Sequence, residues 1–508
     1  MGSMRLGSSE QYDVIVVGGG NAALCAALAA HASGARVVIL EAASEEERGG
    51  NSRFAGTVFR APHTGLNQVK GVLCEDALED VSLCSMSSYT PEDYLKDLQS
   101  TSLGRNDPLL SEILVQHGWE TIEWMKDKGV NWELIVRKYY NVENLKDAGK
   151  IDIMSGSPVK CVGDGVGLIR DLYAAVERTD IVVKYGHPAH ELLLAGDAVY
   201  GVKVRLREKY VDFHGQVILA CGGFSANPAM RRQYLGEGWD LVTVRGTKHN
   251  TGTMLRRAID AGARPVGHWG GAHASPQDIN APPAGDITKT PVIPRYSYTY
   301  GISVNIEGRR FFDEGEDTFA LTYAKIGKMI GDQPQAIAYQ IFDQQTLYLL
   351  QTRYSTGTPI VADTVKELAI KLKINPNVLE KTVSDFNNAC PEGANFDPQH
   401  LDGLCTNSSL SPPKSNWALP LNKGPFVAYG VTCGITFTYG GIASDTRARV
   451  LNNEGKPMPG LYCAGEIAGG VFYHNYAGGA GLTKGAVFGR IAGKEAATQA
   501  RLGPSVKK

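Results

Sequence analysis

Residues 12–52 read YDVIVVGGGNAALCAALAA (12–30), ASGARVVILEAASEEE (32–47) and RGGNS (48–52). The order is strand, glycine turn, helix, strand, acidic tip and glycine loop. Val14–Val17 is a β-branched run of the kind a strand buried on both faces requires. Gly18–Gly20 lets backbone approach whatever lies beyond the strand end, and the Ala-rich helix 21–30 aims its first N–H groups at that spot. Residues 36–40 form the second strand. Glu41 follows it, about 20 residues after the glycines, where a carboxylate can accept a hydrogen bond from a ribose hydroxyl. The turn is G-x-G-x-x-A, from Gly18 through Gly20 to Ala23, in its full strand–turn–helix context. An ADP-containing cofactor is the reading that also explains Glu41 and the second glycine pair, Gly49–Gly50.

The remaining composition narrows the class. A chain of 508 residues holds a large core and two domains. With 43% hydrophobic and 20% charged residues it reads as a soluble globular protein, and a net charge of −2 gives no general attraction to nucleic acid. Nine scattered cysteines show no C-x-x-C pattern, which argues against metal clusters and points to reduced thiols in an intracellular, cytoplasmic setting. Peripheral membrane contact stays open. No run is long and apolar enough for a transmembrane segment, and no signal peptide is read. Met1-Gly2-Ser3 ahead of Met4 reads as an expression scar.

Along the chain, Arg48-Gly49-Gly50-Asn51-Ser52 offers a cation, flexible amides and polar side chains for a pyrophosphate and one edge of a flavin. Helices are expected from Pro91, over 108–128 and over 165–178, and Trp119 and Trp124 read as core. Tyr89 has the position to reach an active site. Residues 181–185 form a strand, and 191–194 with 198–206 a hairpin. The strand 216–220 ends in Cys221-Gly222-Gly223-Phe224, a place where backbone meets ligand. The polar turn RGTKHNTGTM (245–254) precedes another helix. Residues 273–427 change character, with the string Tyr296-Ser297-Tyr298-Thr299-Tyr300, a hairpin over 301–313 closing on Gly308, and helices near 318–331, 362–372 and 377–388. The final stretch returns to a strand ending at Gly465-Glu466. Gly478-Gly479-Ala480-Gly481-Leu482-Thr483 then opens a helix over 484–500, whose N-terminus suits the electron-rich end of a flavin.

GGGNAALCAALAA, RGGNS, ACGGF, RRFFDEGED, TCGITFTYGG, LYCAGE and GGAGLTKGAVFGRIAG, in this order, resemble the fumarate reductase/succinate dehydrogenase flavoprotein family over nearly the whole chain. The tricarballylate dehydrogenase and 3-ketosteroid Δ1-dehydrogenase branches are the most similar. The resemblance implies an α/β fold: a split Rossmann-type FAD-binding domain (10–272 and 428–500) with an inserted α+β cap domain (273–427), and substrate between them. It implies FAD contacts at Gly18, Gly20, Asn21, Ala22, Glu41, Ala42, the loop Arg48–Ser52, Gly56, Ala189 near the adenine, Ala220, Gly222, Gly223, Asn250, Gly252, Gly465, Glu466, Gly481, Leu482 and Thr483. It also implies hydride transfer between flavin N5 and a carbon β to a carbonyl, coupled to proton transfer at the α carbon, with an electron acceptor left unidentified.

Two departures bear on the substrate. Thr318 and Tyr476 stand where fumarate reductases carry arginines, and Thr436–Phe437 where they carry a hinge histidine; His273 does match the histidine that opens their cap. Carboxylates buried without cations cost several kcal/mol each, by roughly the penalty for an unpaired charge, and arginine forks are the usual remedy. The expected substrate is therefore a small-molecule carbonyl compound, a neutral steroid or terpenoid ketone desaturated at its α,β bond. Tyr476 would hold its ketone, and the base would be Tyr323, Tyr300 or another tyrosine of the 296–300 string, with His273 or His474 as substitutes. In the alternative, a polycarboxylate dehydrogenase or fumarate-reductase-like enzyme, Arg295, Arg105 or Arg137 would supply the missing cation. A covalently flavinylated subunit of a membrane complex is disfavoured, since 44–60 contains no histidine.

Overall fold

The computed structural model describes residues 9–139, 150–153, 156–207, 209–393 and 395–503, so the Met1–Met4 reading lies outside it. The β-branched run sits in the strand Ser9–Val17, at the centre of an eight-stranded sheet. It pairs in parallel with Val37–Leu40 on one side, Val14 opposite Val37 and Val17 opposite Leu40. On its other side is Lys209–Leu219, with Val17 opposite Leu219. Val182–Lys184 extends the sheet beyond the first neighbour and Pro457–Cys463 beyond the second. Segments from both ends of the chain thus share one sheet, as a split Rossmann-type domain requires. Their carboxyl ends stay in step: Gly18 N–H donates to Leu40 O, Ala220 N–H to Val17 O and Ala464 N–H to Leu219 O. A crevice outside aligned strand ends is where such sheets take ligands.

Two helices lie face to face over this sheet. Asn21–Ala32 and Ala480–Leu502 approach so closely that a Cβ on Gly489 would lie 2.4 Å from Ala22 O, and one on Gly493 2.2 Å from Ala26 O. The glycine spacing of four keeps these positions on one face, and the alanines opposite supply the matching flat surface.

A second, six-stranded sheet is built on the long strand Phe426–Thr438. Ala272–Asp278, Ile337–Phe342 and Ile360–Ala362 pair with it antiparallel, and Ile302–Asn305 adds to Ile337–Phe342. This sheet overruns the expected 273–427 insertion at both ends. It takes in Thr243–Val244, paired with Gly434–Ile435, and its main strand crosses residue 428 without a break. One strand thus serves both regions and delivers Thr436–Thr438 to the crevice. The cap helices run Phe319–Gly331, Val365–Leu372 and Pro376–Ala389. The hairpin expected over 301–313 reduces to a single bridge, Val304 to Arg310, beyond a tight turn in which Asn305 bonds Gly308 and Arg309.

Candidate active site

One cavity runs from the Gly18–Gly20 turn, across the strand ends, to Tyr323 and Arg353 in the cap. Its first half is shaped for a dinucleotide. Gly18 has φ +113°, and a Cβ there would lie 2.4 Å from Ala220 O, so only glycine passes. A Cβ on Gly19 would meet the Glu41 carboxylate at 2.2 Å, so Glu41 leans over the turn. The helix starting at Asn21 has no side chain at its N-cap residue, Gly20; the Asn21 N–H donates to Ser52 Oγ at 3.1 Å, and the next amides of the turn are left for an anion. Glu41 is 5% exposed. Burial raises its carboxyl above the usual range, against an N–H bond from Ala43. Asn250 Oδ1 is buried without a partner among the described residues. A glycine cradle, a helix N-terminus and a buried acid at the second strand end fit FAD.

The expected contacts Gly18, Gly20, Asn21, Ala22, Glu41, Ala42, Gly50, Asn51, Ser52, Gly56, Ala189, Ala220, Gly222, Asn250, Gly252, Gly465, Glu466, Gly481 and Leu482 all line this cavity. Four do not. Arg48 turns outward to Glu45, Glu177 and Tyr185. Gly49 packs on Ile169 and Gly223 backs Glu466 and Thr438. Thr483, fully buried, bonds Gly479 O and the Arg60 amide inside the helix junction. Glu466 ties the walls together. It accepts from Thr438 N–H at 2.8 Å, Thr438 Oγ1 at 3.0 Å and Asn250 Nδ2 at 2.9 Å.

The second half is an aromatic chamber. His273 lies between Tyr476 and Tyr323, with ring centroids 5.1 and 5.0 Å away, and Phe437 closes the third side at 5.1 Å. His273 is 3% exposed and neither ring nitrogen has a partner among the described residues. Burial, then the charge of Arg245, holds its pKa well below 6.5, so it is neutral at pH 7. The Tyr476 oxygen accepts the Gly479 N–H at 2.9 Å and the Gly481 N–H at 3.3 Å. Burial raises its pKa while these amides pull it down. Burial puts Tyr323 well above 10.

Other tyrosines are committed elsewhere. The 296–300 string coils into a 3-10 turn, Ser297–Tyr300, which sends alternate rings in different directions. Tyr300 therefore lies away from the cavity, its hydroxyl donating to Pro398 O. Tyr298 bonds Thr322, and only Tyr296 of the three lines the chamber. Tyr89 bonds Asp97 and Arg60 beside a different cavity, which also holds Thr318. The His474 amide donates to His268, outside the chamber.

The cations differ from those expected. Arg295 is fully buried on Asp278 at 2.9 Å, Arg137 holds Asp80, and neither they nor Arg105 line the cavity. Arg245, Arg353 and Lys138 do. Arg245 lies in the RGTKHNTGTM turn, whose signal in the sequence is its glycines and not its arginine. Arg353, in a short cap turn, and Lys138 with Tyr139 carry no pattern that sequence reading recognises.

The chain matches the FAD binding domain family over residues 13–482 and belongs to that family. FAD is therefore its cofactor. It is 29% identical over 464 residues to an NADH:fumarate oxidoreductase of Klebsiella pneumoniae (strain 342), covering 89% of this chain and 44% of that protein. It is 27% identical over 373 residues to a 3-oxosteroid 1-dehydrogenase of Mycobacterium tuberculosis (strain ATCC 25618 / H37Rv), covering 67% of this chain and 64% of that one. Among solved structures, the open conformation of a flavocytochrome c3 fumarate reductase superposes with a TM-score of 0.69 at 26% identity, over 97% of this chain and 79% of that one. The chain thus spans less than half of the first of these relatives. No described helix is long and apolar enough to cross a membrane.

Proposed function

We propose that the chain is an FAD-dependent oxidoreductase acting on the CH–CH bond α,β to a carbonyl, and that it works as a dehydrogenase, leaving a C=C bond. Bound FAD supplies the two-electron sink for the hydrogen that leaves the β carbon. The observation that carries the reading is Tyr476. Two backbone N–H groups occupy its oxygen, so its own proton is left to donate into the chamber. A hydroxyl aimed at a substrate carbonyl stabilises the enolate that forms as the α proton leaves; losing one such donor costs about a hundredfold or more in rate. The α proton needs an acceptor beside that carbonyl. Neutral His273, with both ring nitrogens unpartnered among the described residues, is placed to take it; Tyr323, its ring 5.0 Å away, is kept protonated by burial and serves as a donor beside Tyr476 rather than as the base. Phe437, Phe472 and Tyr439 exclude water on the remaining sides.

A steroid or terpenoid ketone suits the aromatic walls. The second reading, a polycarboxylate, gains support from Arg245 and Arg353. The test is anaerobic addition of a 3-ketosteroid and of tricarballylate to separate samples of the yellow holoenzyme. Bleaching of the oxidised flavin band by either supports the dehydrogenase reading and chooses between the substrates. If neither these nor other saturated carbonyl compounds bleach it, the reading fails.

A further inference from the structure

Buried arginines in this chain are paired, with one exception. Among the described residues five are buried: Arg60, Arg231, Arg295, Arg310 and Arg353. Arg60 holds Asp97, Arg295 holds Asp278 and Arg310 holds Glu314. Arg231 donates to the carbonyls of Ser225 and Asp240. Arg353, 8% exposed, donates its guanidinium to no acceptor among the described residues; its contacts there are the rings of Tyr139 and Tyr296, centred 5.3 and 5.0 Å away. Its Nη2 is buried and unpartnered. Arg245 lines the same cavity. Among the described residues its side chain makes only long bonds, 3.5 Å to Thr436 Oγ1 and 3.4 Å to Phe54 O, and its Nε is buried and unpartnered. Among the described residues no carboxylate answers either charge. The nearby acid Asp164 is already held by Lys138 at 2.6 Å and Lys160 at 3.2 Å.

Two guanidiniums facing one cavity without a counter-ion are costly unless a ligand supplies the charge. Bound arginine pairs are best satisfied by planar oxyanions. We propose that Arg245 and Arg353 form an oxyanion subsite, so that the substrate carries a carboxylate or similar group apart from the carbonyl that Tyr476 holds. This rests on the dehydrogenase reading for the carbonyl end alone. An aromatic ladder joins the two ends of the chamber: Arg353 sits over Tyr296, Tyr296 packs on Tyr323 at 4.7 Å, and Tyr323 on His273 at 5.0 Å. The subsite lies at neither sequence position, Thr318 or Tyr476, from which the arginines are missing. It replaces them with one cation from the 245–254 turn and one from the cap.

The test uses binding, so it does not depend on turnover. FAD-loaded enzyme is titrated with levulinate and with levulinamide, its neutral counterpart, and the dissociation constants are read from the flavin difference spectrum. The wild type is expected to prefer the acid by about tenfold or more, the worth of a charge-assisted hydrogen bond. That preference falls to about one in Arg353→Gln and in Arg245→Gln, while Arg353→Lys keeps part of it. Equal affinities in the wild type, or no detectable binding of the acid, overturn the proposal. So does an undiminished preference in both glutamine variants. Loss of FAD from those variants with the preference intact also overturns it, and assigns the guanidiniums to the cofactor. An arginine-dependent preference in an enzyme whose flavin no carbonyl compound bleaches leaves the subsite standing and removes the dehydrogenase reading.

Discussion

Tyr476 stacks on His273, with ring centroids 5.1 Å apart and planes 26° from parallel. The two side chains come from opposite ends of the chain's architecture. His273 lies on the strand Ala272–Asp278 of the six-stranded sheet, and Tyr476 in the loop before the helix Ala480–Leu502. Their contact is where the two sheets' elements meet, so the chemistry depends on how the regions close on one another. The helix contributes directly, since the glycine amides that fix the Tyr476 oxygen lie at its first turn.

Tyr476→Phe removes the donated proton and keeps the ring. The rate of flavin reduction by substrate is expected to fall by about a hundredfold or more, in line with the loss of one oxyanion donor. The Gly479 and Gly481 amides lose their acceptor, so stability falls by about 1–3 kcal/mol. Stopped-flow reduction and thermal unfolding measure the two separately. A rate within a few-fold of wild type would remove Tyr476 from the mechanism.

Glu466→Gln tests how the cofactor walls are held. In the wild type the carboxylate accepts from Thr438, from Asn250 and, at 3.5 Å, from Asn51 Nδ2. An amide retains one acceptor and turns an N–H₂ toward the asparagine donors. That loss, about 1–3 kcal/mol, weakens FAD binding by about ten- to a hundredfold. Flavin fluorescence quenching on reconstitution of the apoprotein gives the dissociation constant; an unchanged value would make Glu466 a bystander.

The glycine turn, Glu41 and the strand ends were legible because their chemistry is local: each depends on neighbours a few residues away or on a parallel strand of fixed register. Tyr476 and His273 were legible through motif resemblance. Arg353 was not. Its burial depends on Tyr139 and Tyr296, both distant in sequence, and the turn that carries it, Thr352–Thr356, has no periodicity to read. Tyr300 failed for a related reason. A strand would have set Tyr296, Tyr298 and Tyr300 on one face, whereas the observed 3-10 turn spreads them around its axis. The long strand Phe426–Thr438 blurs the expected boundary at 427/428 because hydrophobic pattern does not reveal which sheet a residue joins.

Gly493→Ala and Gly485→Ala separate close packing from helix propensity. Alanine favours a helix by about 1 kcal/mol over glycine. At 493 the new Cβ would lie 2.2 Å from Ala26 O, so the two helices must part, at a cost of about 1–3 kcal/mol. At 485 the nearest atoms are at 3.4 Å, an ordinary contact. Apoprotein melting temperature is expected to fall for Gly493→Ala and to hold or rise for Gly485→Ala. The reverse order would refute the close approach.

Lys138 gives the site a pH dependence with two opposed signs. Burial, helped by Arg353 and Lys160 and opposed by Asp164, lowers its pKa to about 7. The unfolded chain keeps a lysine protonated to about 10.4. Between these values the unfolded state binds more protons, so the cost of the buried charge, fully present below about 7, fades as pH rises and stability increases. Deprotonation in the folded protein withdraws a positive charge from the cavity that Arg245 and Arg353 line, so levulinate affinity is expected to fall as pH passes about 7, at the start of the interval over which stability rises. Lys138→Met removes the part of both changes centred near 7 and leaves the part owed to Lys484, in the same cavity, and Lys414, both lowered by burial to about 8. Melting temperatures and levulinate titrations across pH 6 to about 9 check this, a range set by the lowered and ordinary lysine values. Stability and anion affinity that move in the same direction would show that another group governs the titration.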